Sequence, residues 1–131
     1  MRRADGPDYW QSVTGSMHWG DEQPLAAALR ELREETGIAA SPQALHDWQR
    51  SNRYSIFPEW RYKYAPGTCE NTEHVFSLEL PARVAVTLMP SEHTEYLWLP
   101  FSVAAARVFS WTNREAIEAL SGVRPRTVLA E

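Results

Sequence analysis

The apolar positions near the start of the chain follow a helical period. Leu25, Leu29, Leu32 and Thr36 fall on one stripe, with Ala28 beside it. Pro24 suits the first turn of a helix, where a missing N–H costs little. Gly37 follows the last periodic position and is typical of a C-terminal stop. The pattern therefore predicts one amphipathic helix over residues 24–36, preceded by a loop over residues 15–22.

The rest of the chain alternates in a way that predicts strands and two further helices. Strands are expected at residues 9–13, about 45–64, 75–80 and 95–99, with a break at residues 65–67. Helices are expected at residues 101–109 and 113–121, the second capped by Thr112 and Glu115 in a capping box. Strands interspersed with helices indicate an α/β or α+β sandwich.

Length, charge and cysteine content narrow the class of protein. A chain of 131 residues suits one domain, residues 1–131, around one core. The net charge of −4 argues against a nucleic-acid polymer as partner, but it allows a small polyanion held through a metal. A single cysteine, Cys69, excludes an internal disulfide and is read as an unreactive thiol. Without a bilayer-length apolar run or a signal peptide, we expect no membrane partner and a cytoplasmic location.

Three glutamates on the first predicted helix are the clearest candidates for chemistry. Glu31, Glu34 and Glu35 span an arc of about 100° on a helix. Their carboxylates repel one another, and a hard divalent cation with oxygen ligands removes that repulsion. Arg30 lies four residues before Glu34 and can hold its carboxylate. Taken alone, the three glutamates fit a solvated acidic helix face at least as well.

The spacing around these glutamates carries more information than the glutamates themselves. The segment reads Gly15-x6-Glu22-x7-Arg30-Glu31-Leu32-x-Glu34-Glu35-x-Gly37-Ile38, which closely resembles the Nudix box. The usual box has one residue fewer between its first glycine and first glutamate. Because a loop absorbs an insertion more easily than a helix does, Glu22 is aligned with the motif, and Asp21 is the alternative.

The resemblance to the Nudix family implies a fold, a cofactor and a reaction. The fold is α/β, an α/β/α sandwich with a mixed sheet. The cofactor is Mg²⁺, with Mn²⁺ as a substitute, bound by Glu31, Glu34 and Glu35 and by the backbone carbonyl of Gly15. Water would attack phosphorus in a small-molecule triphosphate.

The identity of the general base stays open at this point. The resemblance allows Glu31, Glu34 or an acid on a distant loop. Glu92 is the distant candidate, because residues 91–99 are similar to a frequent family pattern of a glutamate followed by a tryptophan. Glu95 is its rival, and Glu92 reads equally well as a surface acid. His93 is expected to be a structural hydrogen-bonding residue rather than a metal ligand.

A narrower resemblance lies outside the box. Residues 7–16, 61–67, 71–73 and 111–118 look like the dihydroneopterin triphosphate diphosphatases, a bacterial Nudix subfamily of folate synthesis. Such a substrate has a flat heterocycle, on which aromatics of residues 48–64 could stack. Arg53, Arg61 and Lys63 are candidate phosphate ligands, while Trp10 and Asn113 could border the pocket.

Other interpretations of these features remain open. Residues 48–64 also fit an amphipathic hairpin that buries an aromatic face. A different Nudix specificity, such as removal of oxidised dGTP, is possible, as is a Nudix-fold binding protein without activity. The intact glutamates argue against the inactive alternative.

The start of the chain differs from what the resemblance implies. Nudix domains usually have a strand and a hairpin before the box, whereas fourteen residues precede Gly15 here. We therefore expect a domain that is N-terminally incomplete and lacks the usual N-terminal strands. A start codon assigned too late, a truncated form or a partner chain would each account for this. Extension upstream by about 20 residues, enough for two strands, is expected to raise stability.

Overall fold

The first helix has the predicted boundaries. The structure is a computed structural model that describes residues 1–15, 23–63, 67, 70–123 and 129–130. Helix α1 (Pro24–Thr36) has its proline in the first turn. It ends at Gly37, which adopts φ 77° and donates its N–H to the carbonyl of Arg33 at 2.8 Å. Glycine adopts this left-handed conformation without steric cost, so the chain can turn away from the helix here.

The strands form two small antiparallel sheets. The strands are β1 (Arg2–Arg3), β2 (Leu45–Ser55), β3 (Glu70–Leu78), β4 (His93–Glu95) and β5 (Leu129–Ala130). One sheet has the order β2-β3-β5, and the other pairs β1 with β4. Two short 3-10 helices, Pro42–Ala44 and Pro58–Lys63, flank β2. Helices α2 (Phe101–Arg107) and α3 (Trp111–Val123) close the chain before β5.

The sheet of β2 and β3 is covered on both faces. Leu32 of α1 packs with Leu45, Phe76 and Leu78 on one face. Because side chains alternate along a strand, Glu73 and Ser77 point to the opposite face of β3. There Thr112 of α3 donates a hydrogen bond to Glu73. This places α1 and α3 on opposite sides of the sheet and gives the layered arrangement that the sequence predicts.

Several predicted strands are shorter than expected. Residues 9–13 form no strand, and Trp10 makes single-residue bridges to Arg2 and to Val108 instead. The strand predicted over residues 45–64 ends at Ser55, since Pro58 lacks the N–H that a ladder requires and starts a 3-10 helix. The strand predicted at residues 95–99 is wrong: β4 covers His93–Glu95, and residues 96–99 form no strand. By contrast, the strand predicted at residues 75–80 begins earlier, at Glu70.

The predicted capping box of α3 is wrong. The helix begins at Trp111, so Thr112 lies inside it. Ser110 provides the cap, because its Oγ accepts from the backbone N–H of Asn113 at 3.5 Å. The Thr112 hydroxyl is used elsewhere, in a bond to Oε2 of Glu73 at 3.2 Å. Within the described residues, no helix is both long and apolar enough to cross a bilayer.

Candidate active site

Glu35 is the most buried of the three glutamates of α1. Its side chain has no exposed surface. Oxygen Oε1 accepts a hydrogen bond from the backbone N–H of Thr14 at 3.4 Å, whereas Oε2 has no partner among the described residues. A solvated acidic helix face, the alternative for the three glutamates, is therefore wrong for Glu35. It follows Leu32 by three residues, so it borders the stripe and enters the interior with it.

Glu31 and Gly15 lie against each other beside Glu35. A Cβ added to Gly15 would overlap the Glu31 carboxylate, so a larger residue here would displace that side chain. The Glu31 carboxylate is also close enough to Glu35 for its charge to raise the pKa of Glu35. The predicted metal-site residues Gly15, Glu31 and Glu35 are therefore neighbours in the structure.

Arg30 holds the two outer glutamates. Its Nη1 donates to Glu31 at 2.8 Å and to Glu34 at 3.2 Å. The contact with Glu34 is the one that the spacing predicts. The Glu34 side chain is 46% exposed, so it lies at the rim of the cluster rather than at its centre.

Glu92, which directly precedes β4, lies next to Glu35 of α1. Glu35, Glu92 and His93 each offer a possible metal-ligand atom, and these atoms lie within 4.8 Å of one another. The turn that carries Glu92 is fixed by its backbone, which donates to Met89 and accepts from Ala4. Glu95, its rival in the sequence analysis, instead pairs with Arg2 at 2.7 Å. The structure thus brings Glu92 to α1.

A chain of hydrogen bonds orients His93. Arg3 donates to Oε1 of Gln11 at 3.3 Å, so the Gln11 amide nitrogen faces Nε2 of His93 at 3.0 Å. An amide nitrogen can only donate, which places the proton of the neutral ring on Nδ1, 3.7 Å from Glu35. Burial lowers the pKa of His93 to about 4, so the ring is neutral near pH 7. In this tautomer Nε2 of His93 accepts a hydrogen bond from Gln11.

The electrostatics of the cluster favour a positive charge. Burial, followed by the neighbouring charge of Glu31, raises the pKa of Glu35 to about 9. The cluster of carboxylates is therefore costly to ionise fully unless a cation is bound. Its oxygen donors and the unpaired Oε2 of Glu35 suit a divalent metal.

The predicted substrate residues lie after α1, on β2 and on the 3-10 helix that follows it. Arg53 is exposed on β2. Arg61, on the 3-10 helix after β2, donates its Nε to the carbonyl of Ile56 at 3.1 Å. Lys63 ends that helix, and nothing is described of its side chain. The two acids considered for the first acidic position of the box, Asp21 and Glu22, lie outside the described residues.

Trp10 and Asn113 are both buried and have different surroundings. Trp10 borders an apolar cavity of about 130 Å³, and its Nε1 donates to Asp8 at 2.9 Å. Asn113 accepts from the backbone N–H of Ser12 at 3.1 Å and from its hydroxyl at 3.2 Å. Asn113 thus fixes the segment that carries Thr14 to Glu35. The contacts of Asn113 with Ser12 and of Gln11 with His93 could not be predicted, because neither leaves a local pattern in the sequence.

Comparisons with known proteins show the family of this chain. Residues 1–120 match the family described as NUDIX domain. The chain is 45% identical over 120 residues to the dihydroneopterin triphosphate diphosphatase of Escherichia coli K12, and the match covers 90% of this chain and 78% of that protein. A protein of the same name from Haemophilus influenzae is 40% identical, with 90% and 74% covered.

A solved structure supports the fold. It is described as the E. coli dihydroneopterin triphosphate pyrophosphohydrolase, and it superposes with a TM-score of 0.81 at 44% identity. The match covers 90% of this chain and 80% of that one. The α/β fold expected from the sequence is thereby confirmed. The chain belongs to the Nudix family and is a pyrophosphohydrolase.

Proposed function

We propose that this enzyme hydrolyses dihydroneopterin triphosphate to dihydroneopterin monophosphate and pyrophosphate, using Mg²⁺ or Mn²⁺. The substrate rests on one observation. Relatives that match 90% of the chain at 40–45% identity carry this substrate in their names. The reaction type rests on the cluster of Glu31, Glu35 and Glu92, which suits a cation that binds phosphates.

The proposed metal ligands are the fully buried Glu35, the partly buried Glu31 and two groups nearer the surface. Glu35 offers the unpaired Oε2 inside the fold, and Glu31 lies beside it against Gly15. The Gly15 carbonyl and the half-exposed Glu34 complete the proposed set. When bound there, Mg²⁺ neutralises phosphate charge and lowers the pKa of a bound water. The chain's own contribution is to fix these oxygens, with Thr14 holding Glu35 and Arg30 holding Glu31 and Glu34.

Glu92 is the proposed general base. It is exposed, and a ligand atom of its carboxylate lies within 4.8 Å of those of Glu35 and His93. Glu31 and Glu34, the alternatives, already accept hydrogen bonds from Arg30. Both are also proposed metal ligands, and a carboxylate held by a cation is a poor proton acceptor. Glu92 therefore suits the removal of a proton from the attacking water.

Arg53, Arg61 and Lys63 are the proposed phosphate contacts. The Nε of Arg61 donates to the carbonyl of Ile56. Its two terminal nitrogens make no hydrogen bond or ion pair with the described residues. Guanidinium groups bind phosphate oxygens in pairs of parallel hydrogen bonds, which suits the distal phosphates of a triphosphate.

Replacement of the buried ligand should separate metal binding from folding. Glu35→Gln is expected to lower turnover by several orders of magnitude and to abolish Mn²⁺ binding measured by calorimetry. The metal-free variant should be no less stable, because the change removes a carboxylate that burial and Glu31 disfavour. Glu118→Gln, an exposed carboxylate on α3, is the control and should change neither property. Full activity of the unmodified enzyme in excess chelator would contradict the metal proposal.

Gly15 offers a second test of the ligand geometry. Gly15→Ala should displace the Glu31 carboxylate and lower kcat/KM and Mn²⁺ affinity together, since the added methyl overlaps that side chain. The matched control is Gly122→Ala, where the new methyl meets nothing within 4 Å. The control should keep full activity. Equal activities for the two variants, measured with the same substrate, would show that the Gly15–Glu31 contact has no functional role.

The base assignment predicts a different response for Glu92. Glu92→Gln should lower kcat by roughly a hundredfold or more, the usual contribution of a positioned base. Mn²⁺ affinity should change far less than it does in Glu35→Gln. Glu95→Gln removes the acid that pairs with Arg2 and serves as the control. If Glu95→Gln reduced kcat more than Glu92→Gln, the two roles would have to be exchanged.

The products test the substrate proposal. Phosphorus NMR of a reaction with dihydroneopterin triphosphate should show pyrophosphate and the monophosphate formed together, without orthophosphate. Triphosphates with other bases should turn over more slowly, because a poorly seated base misplaces the reacting phosphorus. Faster turnover of oxidised dGTP would replace the substrate and leave the Nudix chemistry intact.

A further inference from the structure

Glu73 is a second partly buried carboxylate, separate from the cluster on α1. It lies on β3 and faces α3, where Oε2 accepts from the hydroxyl of Thr112 at 3.2 Å. No cation pairs with it among the described residues. Burial raises the pKa of Glu73, and the Thr112 hydrogen bond opposes that shift. A single neutral donor compensates such a carboxylate poorly, so further N–H donors would stabilise it.

The residue opposite Glu73 is also polar and unsatisfied. Asn52 of β2 is its cross-strand partner, so the two side chains point to the same face of the sheet. The Nδ2 atom of Asn52 is buried and has no hydrogen-bond partner in the described part of the chain. Glu73 and Asn52 together form a polar strip under the start of α3, with unused hydrogen-bonding capacity.

A short path joins this strip to the carboxylate cluster. Thr112, which binds Glu73, is followed by Asn113, whose side chain binds Ser12. Two residues later, Thr14 donates to Glu35. Because Ser12 and Thr14 are two residues apart, their Cα atoms are separated by at most about 7 Å. These contacts connect the start of α3, beside Glu73, to the carboxylate of Glu35.

We propose that Glu73 is the residue that recognises the ring of the substrate. Its carboxylate would accept hydrogen bonds from the ring N–H and the neighbouring amino group of a pterin. These donors lie side by side, which allows the paired, charge-assisted geometry that carboxylates make with guanidinium groups. Guanine has the same pair of donors and adenine lacks it. This inference rests on the proposed function and assigns the ring specificity of the same site.

The test compares two glutamate-to-glutamine variants on facing elements. Glu73→Gln replaces an acceptor oxygen with a donor of the same size. Glu115→Gln on α3 is the matched control, since Glu115 is 45% exposed and pairs with Arg50 at 2.8 Å. Thermal melting checks that both variants fold. If Glu73→Gln melts early, Glu73→Asp keeps the charge and should show a weaker form of the same defect.

Two readouts separate ring recognition from a general structural role. The KM for dihydroneopterin triphosphate should rise on the order of ten- to a hundredfold in Glu73→Gln, the range for loss of hydrogen bonds to a charged group. The kcat/KM for dATP, whose base lacks the donor pair, should stay nearly unchanged. Binding of dihydroneopterin without phosphates, followed by fluorescence, should weaken by the same factor. Glu115→Gln should match the unmodified enzyme throughout.

The possible failures are distinguishable. If the unmodified enzyme turns over dihydroneopterin triphosphate but Glu73→Gln keeps its KM and its affinity for dihydroneopterin, the inference is overturned and the proposed function stands. An equal loss with dATP would also overturn it, because the residue would then act on the whole site. If the unmodified enzyme does not turn over the pterin substrate, the proposed function and the inference fall together.

Discussion

The burial of the Glu35 carboxylate is the constraint on which the site depends. An ionised group in the interior is costly, and the nearby acids Glu31 and Glu92 increase that cost. The fold accepts it because Leu32, on the same face of α1, packs in the core and fixes the register of the helix. The apolar packing that stabilises α1 is thus also what forces the glutamate inside. A cation bound at the unpaired oxygen of Glu35 would offset this electrostatic cost.

The segment that precedes the box ties the layers of the molecule together. Asn113 of α3 fixes Ser12, and the backbone of Thr14 binds Glu35 of α1. Gly15 then lies against the Glu31 side chain, which a larger residue would displace. A few consecutive residues therefore set the distance between the carboxylates and the start of α3. This coupling fixes the glutamates of α1 relative to the start of α3.

Much of the fold and part of the site could be predicted from local patterns. The helix over residues 24–36 is confirmed because its proline, apolar stripe and glycine all act within the helix itself. The Arg30–Glu34 contact is confirmed for the same reason. Residues 9–13 were predicted as a strand and were not found as one, since a ladder depends on partners far away in the sequence.

The contacts that the sequence could not show are all long-range. The link from Gln11 to His93 spans 82 positions, and the bond from Thr112 to Glu73 spans 39. Thr112 was predicted as the N-cap of α3 because a hydroxyl side chain commonly caps the N-terminus of a helix. In the structure Ser110 is the N-cap. The burial of Glu35 could have been inferred from its spacing to Leu32, which periodicity alone provides.

The central claim is that the α1 glutamates form a cation site whose inner ligand is Glu35. Anomalous diffraction from crystals soaked in Mn²⁺ tests it most directly, because it locates the ion without reference to activity. The account predicts a strong peak within ligand distance of Oε2 of Glu35 and of the Glu31 carboxylate. A peak elsewhere on the protein, or none at saturating Mn²⁺, would contradict it.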